Sequence, residues 1–481
     1  MRVLRFLARR LAIWAVVLPL AACVSVEPNA GAGLSLPPDR RAEQFAPQWG
    51  SRQETVVGAE LPAEWWKSFG SETLDRLVGS ALAKNADIAT AEATLRQARE
   101  LAKGAAGGTG PQVDAGLVSQ HAQVSGSLSS PLAEPNAYLY SLHTAQLSVS
   151  YPLDLFGVGR SKVASARAAA NVAAFRLQAA RNIVASNLVL AVIQHASLAS
   201  QAESTRAAIA SNRELVGLAV RRRQLGELGE ADVAAANATL AAAEVQLPVL
   251  ERQVRHQEAL VGSLSGIPAG AEVPDLPDLG ELTLPATLPV SLPAAVIAHR
   301  PDVQAAEAQV RGAAADLGAA IAARLPAIQI TGSAGGASSQ IASLFAGPNL
   351  FYAIAGSITQ PIFHSGVLLH QKRASEASLE ASRAQYRSIA MQAFLDVDDA
   401  LSGLRTDAAA LDAASRQADA ADKALELARQ QVRLGAIGNF TLLGIAAAAS
   451  QASTQLAQAR AARLSDTVAL FMACGVPPNN R

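Results

Sequence analysis

Few of the residues that build reactive or cross-linked proteins occur in this 481-residue chain. It has two cysteines, Cys23 and Cys474, and the first has a different use, so no intrachain disulfide is expected. Cys474 reads as a small buried residue near a helix end. The seven histidines (121, 143, 195, 256, 299, 364 and 370) form no metal-ligand pattern, and His364 and His370 stand six apart, off the helical spacing of a zinc motif. No nucleophile elbow or phosphate loop occurs in a plausible context, so no catalytic residue, cofactor or metal is expected, and no enzyme. Forty basic residues balance forty acidic ones, without the basic excess that nucleic-acid binding needs. Beyond the N-terminus no apolar run reaches 18 residues, so no transmembrane helix is expected. Proline is missing from 153–247 and from 362–476.

What is present is a second copy of the first half. Asn85-Ala-Asp-Ile-Ala-Thr-Ala-Glu92 returns as Arg300-Pro-Asp-Val-Gln-Ala-Ala-Glu307. Tyr151-Pro-Leu-Asp154 matches Gln360-Pro-Ile-Phe363, Leu225–Gly229 matches Leu434–Gly438, and Gly266-Ile-Pro268 matches Gly475-Val-Pro477, these last three at a constant offset of 209. A duplicated element suits a wall of repeated staves better than one asymmetric active site.

The N-terminus reads as an export signal. Arg2, Arg5, Arg9 and Arg10 precede an apolar run and then Leu20-Ala-Ala-Cys23. That order describes a lipoprotein signal peptide over 1–22, with Cys23 lipidated as the first mature residue. Val24 follows where an inner-membrane retention signal would place Asp, which favours the outer membrane. Without residues 1–22 the net charge is −4.

The two proline-free spans read as long helices, each about 65 residues before a two-glycine break, or roughly 100 Å. Val397, Leu404, Leu411, Ala418, Leu425 and Val432 recur every seven residues, with Leu401 and Ala408 between them. Leu188, His195, Ala202, Ile209 and Val216 are their counterparts in the first copy. Such heptads predict side-by-side packing with a left-handed supercoil. His195 reads as a core or lumen-facing histidine. Return helices are expected over about 230–262 and 440–473, and shorter opening helices over about 72–104 and 291–322.

Between the short and long helices the period drops to two. Ala145, Leu147, Val149 and Tyr151 alternate with Thr144, Gln146, Ser148 and Ser150, and Tyr352, Ile354 and Ile358 oppose Ala353, Ser357 and Thr359. Partner strands carry Val113, Ala115 and Leu117, and Ile328, Ile330 and Gly332. The expected strands are 112–126, 138–153, 327–340 and 350–362, with one apolar face each, as membrane β-strands have. Four strands cannot close a barrel in lipid, so several chains must contribute; two would give eight strands and a barrel filled by side chains, three would give twelve and a wider pore, and a cyclic trimer fits a conduit better.

Glu64-Trp-Trp-Lys-Ser-Phe69, Asn85-Ala-Asp87, Tyr151-Pro-Leu-Asp-Leu-Phe-Gly157, Arg300-Pro-Asp302, Gln360-Pro-Ile-Phe363 and the run from Gly435 to Leu443 together resemble the TolC-like outer-membrane efflux factors, in the NodT-type or OprM-like lipoprotein branch. The resemblance implies a mainly α fold with membrane β: duplicated long helical hairpins forming an α-barrel, and four strands per chain in a trimeric twelve-stranded β-barrel. The layout it implies is an extended equatorial segment 23–70, a first repeat 71–268, a Pro-rich connector 269–293, a second repeat 294–477 and a tail 478–481. It also implies a passive exit duct in the outer membrane with a long periplasmic tunnel, acting as a homotrimer with a periplasmic adaptor and an inner-membrane pump. Adaptor contact would fall on Leu225, Gly226, Glu227, Leu228 and Gly229, and on Leu434, Gly435, Ala436, Ile437 and Gly438. Phe440 and Leu443 would narrow the pore, while Gly444 stands where relatives carry an aspartate; Glu230 and Asp232 are candidate lumen carboxylates. The rival reading is a coiled-coil spacer lipoprotein, which has no use for paired amphipathic strands.

Overall fold

The structure, a computed structural model, describes residues 30, 53–59, 61–123, 139–268, 270–271, 273–290, 296 and 298–476. The signal segment, Cys23 and the first β-hairpin tip lie outside them. In chain order the elements are β1 (Glu54–Val57), a 3-10 turn (Trp65–Phe69), α1 (Glu72–Lys84), α2 (Ala86–Gly107), β2 (Gln112–Gln123), β3 (Leu139–Leu153), α3 (Val158–Gln224), α4 (Glu230–Leu264), β4 (Thr287–Val290), α5 (Pro301–Ala322), β5 (Ala327–Ser338), β6 (Leu350–Thr359), α6 (Val367–Arg433) and α7 (Asn439–Cys474). The long helices α3 and α6 have 67 residues each, about 100 Å at 1.5 Å per residue. Residue contacts divide the chain into one unit built on 95–173 and 306–386 and another on 33–94, 174–305 and 387–481.

The first unit contains a four-stranded antiparallel sheet in the order β2-β3-β5-β6. Its register pairs Val113 with Val149, Ala115 with Leu147 and Leu117 with Ala145. It also pairs Ile330 with Tyr151 and Ile354 with Gly332. The expected apolar face is thus continuous across all four strands. Most of it is exposed, with Leu117 at 72% and Ile354 at 80%, so nothing among the described residues covers it. β2 and β6 are the outer strands of this sheet.

In the second unit the heptad positions form the core. Val397, Leu401, Leu404, Ala408, Leu411, Ala418 and Val432 are buried, as are Leu188, Ala202 and Ile209. α3 runs antiparallel to α4, tied by Arg206 to Glu251 at 3.0 Å and Arg213 to Glu244 at 2.8 Å. It also runs antiparallel to α7, where Ser204 and Ser453 hydroxyls are 2.9 Å apart. His195 lies within this packing, its Nε2 3.4 Å from Glu258 Oε1. By length and composition α3 and α4 each contain a window apolar enough to cross a membrane; in α3 that window is 67% buried.

Two expectations need correction. The single helix over 72–104 is two helices, broken at Asn85, whose ψ of 133° is extended. Its side chain explains the break: Oδ1 accepts from the Asp87 N–H at 2.9 Å and Nδ2 donates to the Leu264 carbonyl. The second opening helix, expected from 291, is continuous from Pro301 to Ala322, because the residue before a proline is driven out of helical geometry.

The segments flanking the repeats carry structure. β1 pairs in parallel with β4, from Glu54 opposite Thr287 to Val57 opposite Val290. Trp65, Phe69 and Phe471 meet edge to face with ring centroids 5.8–6.3 Å apart, all but fully buried. Arg463, 1% exposed, donates to the Leu404 carbonyl at 2.7 Å and to Gln53 Oε1 at 2.6 Å. Arg300 bridges Asp302 at 2.7 Å and Asp396 at 2.8 Å, so the Arg300-Pro-Asp302 motif is an ion-pair anchor.

Candidate functional site: the twin hairpin tips

α3 and α6 end in the same way. At the first tip the Glu227 N–H donates to the Arg222 carbonyl and the Gly226 N–H to that of Arg223, both at 2.9 Å. At the second, Ala436 donates to Gln431 at 2.9 Å and Gly435 to Val432 at 3.1 Å. This six-to-one plus five-to-two pattern is the Schellman motif, which needs a left-handed residue just past the helix. Gly226 (φ 81°) and Gly435 (φ 72°) supply it. A Cβ on either would meet nothing within 4 Å, so backbone geometry alone calls for glycine. Gly229 and Gly438 then take extended geometry and start α4 and α7.

The tip residues divide into two sets. Leu225 and Leu434 stand 74% and 83% exposed at equivalent positions. Leu228 and Ile437 turn inward, onto a cluster of Leu215, Ala219, Val233, Ala236, Ala428, Val432, Leu442 and Leu443. Both hairpins contribute, so the tips are held together by one apolar plug. Each such side chain contributes about 1.5–3 kcal/mol when fully buried. Glu227, Gly229, Gly435, Ala436 and Gly438 are exposed around it.

The candidate constriction separates on inspection. Leu443 is 7% exposed and belongs to the plug, so its side chain is spent within its own chain rather than offered to a lumen. The Phe440 side chain lies outside the described residues. A Cβ on Gly444 would meet nothing within 4 Å, so open space lies at this position. Glu230 pairs with Arg223, and Asp232 Oδ2 accepts the Gly229 N–H at 3.0 Å, half of a capping box. Both carboxylates therefore stabilise the turn and the N-terminus of α4, whatever they face.

Sequence reasoning passed over an acidic site farther up the second unit. Asp302, Asp396, Asp399 and Asp466 line a cavity of about 600 Å³ with Arg300. Burial and the neighbouring Asp407 raise the Asp466 pKa to about 6, against the pull of Arg463. Burial lowers that of Arg463 to about 10. At Asp302 burial works upward, yet hydrogen bonding and charge from Arg300 hold the carboxyl below its usual range. Among the described residues no group of three or more His, Cys, Asp or Glu side chains is placed so that it could hold a metal ion.

Comparison with known proteins agrees with this architecture. The profile of the family described as outer membrane efflux protein matches residues 77–266 and 292–476. The pyoverdine export outer membrane protein OpmQ of Pseudomonas putida is 28% identical over 435 residues, covering 90% of this chain and 92% of that protein. The toluene efflux pump outer membrane protein TtgF of P. putida is 28% identical over 424 residues, 88% of this chain and 87% of its own. Among solved structures, the CmeC outer membrane channel of Campylobacter jejuni superposes with a TM-score of 0.81 at 20% identity over 94% of both chains. The outer-membrane channel OprN gives 0.80 at 24% identity, over 94% of this chain and 96% of its own. A duplicated pair of long helical hairpins with a four-stranded amphipathic sheet, matched to that profile over most of its length, makes this chain a member of the outer membrane efflux protein family, an efflux channel of the outer membrane.

Proposed function

We propose that the chain is the passive exit duct of a tripartite export system: a homotrimer, lipidated at Cys23, that receives cargo from an inner-membrane pump through a periplasmic adaptor. It catalyses no reaction. Relatives are named for pyoverdine, toluene and antibiotic export. We take that spread to mean that a duct of this kind leaves cargo choice to the pump.

The observation that carries this reading is the pair of matched tips. Leu225 and Leu434 project from identical turns, each braced from behind by the shared plug. Two equivalent knobs per chain, six in a trimer, suit an adaptor that meets both repeats alike. Photo-cross-linking side chains at Leu225 and at Leu434 are expected to capture the same periplasmic adaptor in intact cells. Capture from one tip only, or from neither, would sink the equal-contact reading.

Closure in this proposal rests on Phe440, two residues beyond Gly438, without an acidic ring beside it. Phe440→Ala is expected to raise single-channel conductance in planar bilayers, and an unchanged conductance removes the gate. Gly444→Asp has room for its side chain and is expected to lower resting conductance by adding one carboxylate per chain.

A further inference from the structure

The apolar face of the β2–β3 hairpin ends abruptly. The layers Val113–Val149, Ala115–Leu147 and Leu117–Ala145 are followed on that same face by Ser119–His143 and then His121–Ser141. The opposite face changes from Asp114, Ser148 and Gln146 to a mixed run in which Val118, Leu142, Tyr140 and Ala122 outnumber Thr144 and Gln120. A sheet inverts its polarity where its surroundings invert. On β3 the apolar stretch from Leu153 to Ala145 is eight steps of about 3.3 Å, roughly 20 Å of height at a tilt near 40°. That approaches the roughly 25 Å apolar band of outer-membrane barrels. The polar layers sit at the hairpin end remote from α2 and α3, which is the outer leaflet for a channel whose helices lie in the periplasm.

We propose that Ser119, His121, Ser141 and His143 form a binding site for the anionic phosphate of an outer-leaflet lipid. Ser119 Oγ and His143 Nδ1 are 2.8 Å apart, and His121 Nδ1 and Ser141 Oγ 2.9 Å. Each pair is one hydroxyl and one imidazole joined through Nδ1. If the serine donates, the ring carries its proton on Nε2 and presents that N–H outward. If Nδ1 donates, the serine O–H is released as the free donor. Either tautomer leaves one donor per pair for a ligand, and a phosphate oxygen is an acceptor. The site is also the place on the sheet where an anion is least opposed. β2, β3, β5 and β6 contain no Lys or Arg, and their one carboxylate, Asp114, is on the other face near the other end of β2. In a trimer the site occurs three times around the barrel.

The test is native mass spectrometry of the full lipidated channel titrated with phosphatidic acid, whose phosphate monoester is open, and with phosphatidylcholine, whose phosphate is shielded. The wild-type channel is expected to retain phosphatidic acid preferentially. His121→Gln/His143→Gln, checked for an intact heat-modifiable barrel, should lose about tenfold in that affinity. Ser119→Ala/Ser141→Ala, which keeps both rings, should lose less. Equal retention of the two lipids, or undiminished retention by the histidine variant, overturns the proposal. Equal competition by inorganic phosphate, mole for mole, overturns the assignment to lipid by showing a site for the free anion.

Discussion

Gly335 on β5 stands opposite Gln146 on β3. A Cβ there would lie 2.1 Å from the Ala145 carbonyl oxygen and 2.7 Å from Gln146 Cα, and both are backbone, which cannot swing aside. Gly335→Ala is therefore expected to part the two central strands, seen as loss of the heat-modifiable form on gels. Gly356→Ala, with nothing within 4 Å, should leave that form intact. The carboxyl of Asp466 sets a second test. Its folded pKa of about 6 lies above the unfolded value of about 3.9. A raised carboxyl contributes stability that is fully present below about pH 4 and is lost as pH rises through about 6. Asp466→Asn should raise the Tm by a few degrees at pH 7.5 and leave it unchanged at pH 4; an equal shift at both would trace the effect to packing instead. None of this was legible in the sequence. Nothing in the sequence singles out Asp407 or Asp466, and only the fold lays one against the other beside Arg463.

Helices, strands and turns carried stronger signals. Heptads and period-two alternation repeat over many residues, and each fixes which face is buried, so both long helices and all four sheet strands were legible. β1 and β4 were not, because four residues are too few to show a period and Pro289 argues against a strand. The break at Asn85 was hidden for another reason: a capping asparagine and a solvated one look the same until Leu264 supplies its carbonyl. The twin glycine motifs were legible as turns, and their φ values now give them a cost. Gly226→Ala and Gly435→Ala would each force a side chain into left-handed geometry, at about 1–2 kcal/mol. Because no neighbour resists the new methyl, the loss should be confined to the tip. Faster amide hydrogen exchange over 219–236 or 428–445, with the sheet unaffected, is the expected record.

At the scale of the whole molecule, what the chain leaves uncovered matters most. The apolar window of α4 is 11% buried, while the comparable one in α3 is 67% buried. Val245 and Val249 are 71% and 46% exposed, among alanines that would let another helix approach closely. The sheet repeats the pattern, since β2 and β6 are outer strands and an open edge in lipid leaves backbone groups unpaired. Both surfaces fit one occupant, a further copy of this chain: β6 of one would pair with β2 of the next, and α4 would pack between neighbours. Val245→Asp sets a carboxylate in that face without touching the tip plug or the sheet. Circular dichroism should be unchanged by it, while the detergent-solubilised mass should fall from trimer towards monomer. If the variant stays trimeric, α4 does not lie at the subunit interface, and assembly must be credited to the strands alone.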